Sequence, residues 1–225
     1  MTLRRFLVEV LVRLCGLLEV ALALLILLVV VAYVGGCATA PRCTTRPCVP
    51  TLALDGPVDA KAADALVTGV SSWAAAGADA VVVHVDSQGG WLIHGKRIAA
   101  ALEAAPVPTY CLVTGDAASM AFYLVVVSCH HRAALPRASL MTHNPFYRVG
   151  PERVEVGEPL QANLAETMSI RMRVTAAFLR WHLQGGARWD MTPAQGLEYG
   201  ALDAVFDTPE QHLYFVFRST SKKGP

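Results

Sequence analysis

A serine and a histidine that could act together as nucleophile and base stand at the ends of two predicted strands. Ser119 follows the strand-like run TYCLV and the turn TGDAA, and it precedes the apolar stretch MAFYLVVV. His143 ends the next strand-like run, SLMTH, before Asn144 and Pro145 turn the chain. A neutral imidazole is the usual base for a serine hydroxyl. Taken singly, Ser119 is more typical of a helix N-cap and His143 of a structural histidine.

Two glycines at a third strand end could stabilise negative charge in the same site. Gly89 and Gly90 follow the run AVVVHV in the segment DSQGG. Glycines allow a sharp turn that presents backbone N–H groups, and such donors can hold an oxyanion. The N–H of Met120, at the start of the helix after Ser119, could be a second donor. A plain strand-to-helix turn is the simpler interpretation of the glycine pair alone.

The elements that must position these residues alternate between strands and helices from residue 51 onward. The runs TLALDG, ADAVVVHVDS and PVPTYCLVTG have the composition of strands. Between them, VDAKAADALVTGVSSWAAAG and GGWLIHGKRIAAALEAA have the apolar spacing of helices. A long helical pattern later runs from GEPLQANLAETMS to a Gly-Gly stop. Repeated β-α-β units predict an α/β fold with a layered, mainly parallel sheet, whose strand ends meet where such sheets hold their sites.

Four motifs follow one another along the chain in a specific order: SQGG, GDAASMA, RAALP and MTHNP. In this order and at these spacings they resemble the glycine turn, nucleophile segment, Arg-x-Ala-Leu-Pro turn and base segment of the Clp protease proteolytic-subunit family. That family has a crotonase-like fold. The later MTPAQGLEYGALDAVF resembles its closing helix and strand. The resemblance runs from residue 51 to residue 207, within a predicted catalytic domain of residues 51–215.

The resemblance implies a serine endopeptidase that forms an acyl-enzyme and needs no cofactor. It implies Ser119 as the nucleophile, His143 as the general base, and the N–H groups of Gly90 and Met120 as the oxyanion hole. It also implies a peptide or protein substrate and assembly into a homo-oligomer. The segment between His143 and the closing helix is shorter than the one that joins two rings in the family, which leaves double-ring assembly open.

The sequence departs from the family at the acid that should orient His143. Where the family has an Asp, four residues before the helix-capping Thr192, this chain has Arg188. Asp190, two residues further along, is the predicted third member of the triad. The alternative is a solvated acid beside the helix N-terminus. Without an orienting acid a Ser–His pair still catalyses, although roughly 10⁴-fold more slowly. Gln88 also replaces the family proline in the glycine turn.

Two other functions stay open at this point. Arg188 at the acid position fits a catalytically impaired member of the fold that serves as a binding or assembly module. A different crotonase-fold enzyme, acting on acyl thioesters, would need chiefly the oxyanion hole. The pairing of Ser119 with His143 favours the peptidase over this last class.

The first 36 residues predict a signal peptide or membrane anchor, an apolar helix that precedes the domain. Arg4, Arg5 and Arg13 lead into an uncharged, mostly apolar run from Val20 to Val34. That run is shorter than the roughly 20 residues of a transmembrane helix and suits the core of a signal peptide. The basic end would stay in the cytoplasm and the rest would be exported. A packed N-terminal helix of a cytosolic protein is the alternative.

The segment after the apolar run carries cysteines that fit export. Cys37 follows AYVGG in a lipobox-like pattern, so it is a predicted lipidation site of a lipoprotein; an uncleaved anchor is the alternative. Residues 37–50 predict a tether in which Cys43 and Cys48 form a disulfide or remain two unpaired thiols. The catalytic domain is therefore expected outside the cytoplasm, held at the cell membrane. Residues 216–225 predict a polar tail.

The charge balance and the remaining cysteines point away from nucleic acid and metal. The chain has 19 basic and 18 acidic residues and no basic stripe, so no nucleic-acid partner is expected. Cys129, His130 and His131 are adjacent, but adjacent side chains rarely chelate one ion well, so no metal is expected. Cys111 and Cys129 lie in apolar surroundings and predict buried, space-filling thiols.

Overall fold

The computed structural model describes residues 41–221. The predicted apolar helix of residues 1–36 and the lipidation site Cys37 lie outside the described residues. Residues 41–50 lead into the domain: a disulfide joins Cys43 to Cys48, and the Cys48 N–H donates to the Asp79 carboxylate at 2.7 Å. Within residues 41–221, no helix is both long and apolar enough to cross a membrane.

Strands and helices alternate through most of this part of the chain. The strands are β1 Thr51–Asp55, β2 Val81–Ser87, β3 Thr109–Ala118, β4 His131–Ala134, β5 Ser139–His143, β6 Phe146–Val149, β7 Glu152–Glu155, β8 Arg188–Met191 and β9 Ala204–Val205. The helices are α1 Ala60–Ala75, α2 Leu92–Glu103, α3 Met120–Ser128, α4 Glu158–Ser169, α5 Ala176–His182, α6 Pro193–Glu198 and α7 Pro209–Ser221. A single 3₁₀ turn, Gln184–Gly186, precedes β8.

One mainly parallel sheet organises the domain. Its strand order β1-β2-β3-β4-β9 is parallel throughout. Strand β5 also pairs parallel with β3, and β8 pairs antiparallel with β5. Strands β6 and β7 form a separate antiparallel hairpin. The sheet confirms the predicted mainly parallel α/β fold.

Strand β2 shows why the sheet is covered on both faces. Val81, Val83 and Val85 are buried in the main core beside α1, α2 and α3, whereas Val82 packs with Val216 of α7. Successive side chains of a strand point to opposite faces. A strand that is apolar on both faces is typical of a parallel sheet between two helical layers.

Strand β3 has two partners along one edge. Its first part, residues 110–113, pairs with β4, and its last part, residues 116–118, pairs with β5. Because β5 takes the place of β4 along this edge, the end of β5 emerges beside the end of β3. Helix α3 follows β3 directly, and all of its residues except Tyr123 are buried.

Two segments differ from their predicted structure. The long helical pattern divides into α4 and α5, because Thr175 caps α5 through the Phe178 N–H at 3.1 Å and the Arg173 N–H donates to the Tyr199 carbonyl at 2.7 Å. The β6–β7 hairpin, which turns at Gly150, was not predicted at all. Its strands are mostly exposed and carry several charges, so they lack the apolar alternation of a half-buried strand.

Helix α7 includes residues that were predicted to begin a polar tail. Val216 is fully buried and packs against Ala80 and Val82 of the sheet. The hydroxyls of Ser219 and Ser221 donate to carbonyls of the preceding turn at 2.9 and 2.8 Å. These bonds satisfy the polar side chains without ending the helix.

An ion pair between Arg132 and Asp203 ties β4 to the loop before β9. The Arg132 guanidinium, whose side chain is 8% exposed, donates to both carboxylate oxygens of Asp203 at 2.5 and 2.9 Å. It also donates to the carbonyls of Gly200 and Arg171 at 2.8 and 3.1 Å. Burial opposes ionisation of Asp203, but the hydrogen bonds and charge of Arg132 outweigh it and lower the pKa of Asp203. The resulting stabilisation is present above roughly pH 4, the ordinary Asp value, and is lost as pH falls through the lowered pKa.

Replacing Asp203 with Asn should lower the free energy of unfolding at pH 7 by about 2–4 kcal/mol, because the Arg132 guanidinium stays buried without its anion. Denaturant unfolding of the full-length chain measures this loss. The matched control is Asp64→Asn, which breaks the exposed pair with Arg97 and should cost less than about 1 kcal/mol. The loss at Asp203 should shrink as pH falls from about 4 through the lowered pKa of Asp203, because the wild-type carboxylate then becomes protonated as well. A loss that does not change with pH would contradict the ion-pair origin.

Candidate active site

The backbone at Ser119 has a conformation that side chains rarely adopt. Its φ is 55° and its ψ is −115°, and within residues 41–221 it is the only non-glycine residue with a positive φ. Such a conformation costs about 1–3 kcal/mol and persists only where the surroundings determine it. Strand β3 ends at Ala118 and α3 begins at Met120, so this one residue makes the turn from strand to helix.

The Ser119 hydroxyl does not cap the helix. Ser119 occupies the N-cap position of α3, yet its side chain makes no hydrogen bond to the helix. Its backbone is fixed on both sides: the N–H donates to the Met141 carbonyl at 2.7 Å, and its carbonyl accepts from the Tyr123 N–H at 3.1 Å. The backbone that carries the hydroxyl is therefore fixed, and Ser119 lines a cavity of about 720 Å³.

The pairing of β3 with β5 brings His143 to the same cavity. Ala118 lies opposite Met141 in the parallel register, and Ser119 and His143 follow them at the ends of their strands. Both residues line the cavity, and within the described structure no hydrogen bond joins their side chains. A nucleophile and its base are often further apart in an empty site than in the complex with substrate. The fold thus brings together the two residues that the sequence paired.

The imidazole of His143 has two close neighbours. Its Nδ1 lies 2.6 Å from the carbonyl oxygen of Asn144. The ring also packs against Phe146, with 5.3 Å between the ring centroids. The Arg153 guanidinium lies 4.1 Å from the Phe146 ring centroid on the hairpin. These contacts hold the half-buried imidazole at the wall of the cavity.

Asp190, the predicted third member of the triad, lies on the neighbouring strand. In the antiparallel register of β5 and β8, Asp190 is opposite Met141 and Arg188 is opposite His143. The Arg188 guanidinium donates to both oxygens of Asp190, with 2.7 Å between Nε and Oδ2. The side-chain hydrogen bonds of Arg188 lower the pKa of Asp190. The structure therefore places this carboxylate on Arg188 and does not bring it to Nδ1 of His143.

The glycine turn lies directly against the turn at Ser119. A Cβ atom on Gly89 would stand 2.5 Å from the Ala118 carbonyl oxygen and 2.8 Å from the Met120 nitrogen. Gly90 forms a β-bridge with Val58 and lines the cavity. Within the described residues, the N–H groups of Gly90 and Met120 donate to no other group. Two unpaired donors beside Ser119 could stabilise an oxyanion formed there.

The cavity is mostly apolar away from Ser119 and His143. Its apolar walls come from α2, α3, α4, the hairpin and the end of α5: Leu92, Met120, Phe146, Val156, Leu164, Ala165, Met168 and Leu183. Such a lining fits an apolar side chain of a bound substrate. Gln161 is a polar exception on α4, and its Nε2 donates to the Val156 carbonyl at 2.7 Å.

Two features of the site were missed by sequence reasoning. Cys111 and Cys129, which were predicted as unpaired thiols, form a disulfide across the segment that contains Ser119. Two further cysteines in a domain predicted to be exported were the available indication of this bond. The Gln88 amide donates to the Asp116 carboxylate, and this bond ties the glycine turn to β3.

The cluster of Cys129, His130 and His131 has other roles. Cys129 is in the disulfide, and Nδ1 of His130 lies 2.9 Å from the Thr109 hydroxyl oxygen. His131 packs between aromatic rings, with Phe215 at 4.7 Å between centroids. Among residues 41–221, no group of three His, Cys, Asp or Glu side chains has an arrangement that could hold a metal ion.

Comparison with known proteins gives one family and a shared fold. A family model described as Clp protease matches residues 50–181, a range that includes Ser119 and His143. Two solved structures of the 1510-N membrane-bound stomatin-specific protease are similar: a serine-to-alanine mutant, and a lysine-to-alanine mutant in complex with a substrate peptide. Their TM-scores are 0.65 and 0.66, each at 16% identity. The matches cover 76% of this chain, and 84% and 80% of the other chains, and at this identity they establish the fold alone.

Replacing Gly89 with Ala should abolish reactivity at Ser119, because the added Cβ pushes into the backbone of residues 118–120. Labelling of the full-length chain with a fluorophosphonate probe measures this reactivity. The matched control is Gly56→Ala: both glycines have φ +85°, but a Cβ on Gly56 meets nothing within 4 Å. Both variants carry the backbone strain of about 1–2 kcal/mol, so only the clash distinguishes them. Equal labelling of the two variants would show that the close approach does not shape the site.

Proposed function

Because this chain belongs to the Clp protease family and is a serine-type peptidase, we propose that it is an exported, membrane-tethered endopeptidase that acts through Ser119 and His143. One observation carries the proposal. Ser119 makes the turn at the end of β3 in a strained conformation, its hydroxyl does not cap α3, and it lines the same cavity as His143. A positioned nucleophile needs a free hydroxyl in a cavity beside a base, and strained residues of this kind cluster at active sites.

The proposed reaction is acyl transfer through a serine ester. The Ser119 Oγ attacks the scissile carbonyl while Nε2 of His143 takes the hydroxyl proton. The carbonyl oxygen becomes an oxyanion, which the N–H groups of Gly90 and Met120 stabilise. His143 then gives the proton to the leaving amine, and the carbonyl reforms as the acyl-enzyme. Water attacks this ester with His143 again as base, which releases the acid and restores Ser119.

The cavity suggests the kind of peptide that is cleaved. Met120, Leu164 and Met168 line it beside the nucleophile, so a large apolar side chain next to the scissile bond would be buried there. A tethered enzyme without an unfolding partner can take only loose segments, and the exposed tails of membrane proteins are the segments nearest to it. The similar structures, described as a membrane-bound and stomatin-specific protease, are consistent with this choice.

Export and assembly rest on separate observations. The disulfides Cys43–Cys48 and Cys111–Cys129 support an oxidising compartment. Tethering rests on the apolar sequence of residues 1–36. Assembly into a homo-oligomer is supported by large apolar side chains on the surface, such as Ile170 and Trp181, which are 80% and 65% exposed.

The peptidase proposal predicts that Ser119→Ala reduces fluorophosphonate labelling and peptide turnover of the full-length chain to background, because the attacking oxygen is removed. Ser71→Ala, on the exposed face of α1, is the matched control and should keep both activities. A wild-type chain that neither reacts with the probe nor turns over peptides carrying apolar residues would instead support the impaired binding module.

The location predicts the redox state of the cysteines in intact cells. In a variant with Cys15→Ser and Cys37→Ser, the remaining cysteines should resist a maleimide reagent after acid quenching and denaturation, and should react only after reduction. The same domain produced without residues 1–36 is the control, since it would stay in the reducing cytoplasm. Full reactivity of the exported form before reduction would contradict the proposed compartment.

A further inference from the structure

The tautomer of His143 can be read from one contact. A backbone carbonyl oxygen can only accept a hydrogen bond, so the 2.6 Å contact with the Asn144 carbonyl places the donor on Nδ1 of His143. A neutral imidazole has a single N–H, so its Nε2 keeps the lone pair. This is the tautomer that a general base needs, and it exists here without a carboxylate.

The carbonyl that fixes this tautomer is itself held in place. The side-chain amide of Asn144 donates to the Leu183 carbonyl at 2.8 Å, and Asn144 is only 7% exposed. Pro145 restricts the backbone of the residue before it to extended conformations. The Pro145 carbonyl in turn accepts from the Val156 N–H at 3.0 Å. The peptide that carries the acceptor is therefore anchored to the end of α5 on one side and to the hairpin on the other.

The carboxylate that could compete for Nδ1 is occupied. Asp190 receives hydrogen bonds from Arg188 through both oxygens, and Arg188 is the residue opposite His143 in the register. The carbonyl of Asn144, just after β5, therefore takes the orienting position beside Nδ1, while Asp190 on β8 is paired with Arg188.

We propose that Asn144 is the positioning residue for His143: its buried amide, bonded to Leu183, holds its own carbonyl against Nδ1 and so takes the orienting role that a carboxylate has in a Ser–His–Asp triad. The proposal rests on the proposed function, since it assigns a role within the same site. The dipole orients the ring and selects its tautomer but adds no full negative charge.

The first test removes the amide and keeps its size. Asn144→Leu has a similar shape and no donor, so it frees the peptide that carries the acceptor. It should lower kcat by about 10- to 100-fold, less than the roughly 10⁴-fold loss that follows a wrong tautomer outright, and change KM by less than about twofold. Asn163→Leu, the same change at an exposed position on α4, is the matched control and should leave both constants unchanged.

The second test reads the tautomer directly, and its main measurement is made on the wild-type chain. Nitrogen-15 NMR of the wild-type chain above pH 8 should show His143 with Nδ1 protonated and Nε2 unprotonated, the resonance being assigned by its loss in His143→Ala. In Asn144→Leu the two tautomers should mix, an effect that a merely structural residue would not produce. A wild-type His143 protonated on Nε2 would overturn the proposal.

A third arm separates the carbonyl from the carboxylate. Asp190→Asn should lower kcat/KM by less than about tenfold: this carboxylate does not orient the imidazole, and the charge left unbalanced on Arg188 is exposed to solvent and screened. A loss of about 10³-fold or more would assign the role to Asp190 and overturn the proposal for Asn144. Failure of the peptidase proposal can be distinguished from failure of the proposal for Asn144. If the peptidase proposal fails, the wild type shows no Ser119-dependent turnover, and the NMR measurement still decides which nitrogen of His143 carries the proton.

Discussion

The site depends on one backbone hydrogen bond, from the Ser119 N–H to the Met141 carbonyl. This bond continues the parallel pairing of β3 and β5 by one step beyond Ala118, at the point where β3 turns into α3. It fixes the serine relative to the strand that ends in His143. Without it, the pairing of the two strands would end at Ala118, one residue short of Ser119. The separation of Ser119 and His143 is therefore set by main-chain geometry.

The strain at Ser119 is small beside the energy that holds its surroundings. A residue in this conformation costs about 1–3 kcal/mol. Helix α3, which begins one residue later, fully buries Phe122, Leu124 and Val126, and each such side chain contributes about 1.5–3 kcal/mol. The disulfide between Cys111 and Cys129 joins β3 to the residue that follows the helix. Gly89 adds a steric limit, since no side chain fits between the two turns. Relaxing the backbone of Ser119 would displace α3, and the burial energy lost from its side chains would exceed the strain energy that is relieved.

The sequence allowed the fold and the serine–histidine pair to be predicted, but not the contacts made by individual side chains. Ser119 and His143 were found because each ends a strand in a specific local motif, and parallel strand ends meet at one edge. Residues at i and i+2 of a strand share a face. The pairing of Arg188 with Asp190 follows from this rule once β8 is known to be a strand, but no strand was assigned there. The bond between Cys111 and Cys129 could not be derived, since it depends on how the end of α3 returns to the sheet. The hairpin was missed because its exposed strands carry no apolar period.

The charges around His143 explain why a neutral acceptor suits this site. When the base takes a proton, the imidazole becomes a cation, and the residue directly opposite it is Arg188. If Asp190 moved to His143, Arg188 would lose its only ion-pair partner among the described residues and would face the imidazolium as a like charge. With Asp190 on Arg188, the neighbouring pair is neutral overall, and the Asn144 carbonyl provides the hydrogen bond alone. The ion pair and the backbone carbonyl are thus one arrangement: Arg188 holds the Asp190 carboxylate away from the imidazole, and the anchored peptide supplies the orientation that a carboxylate would give.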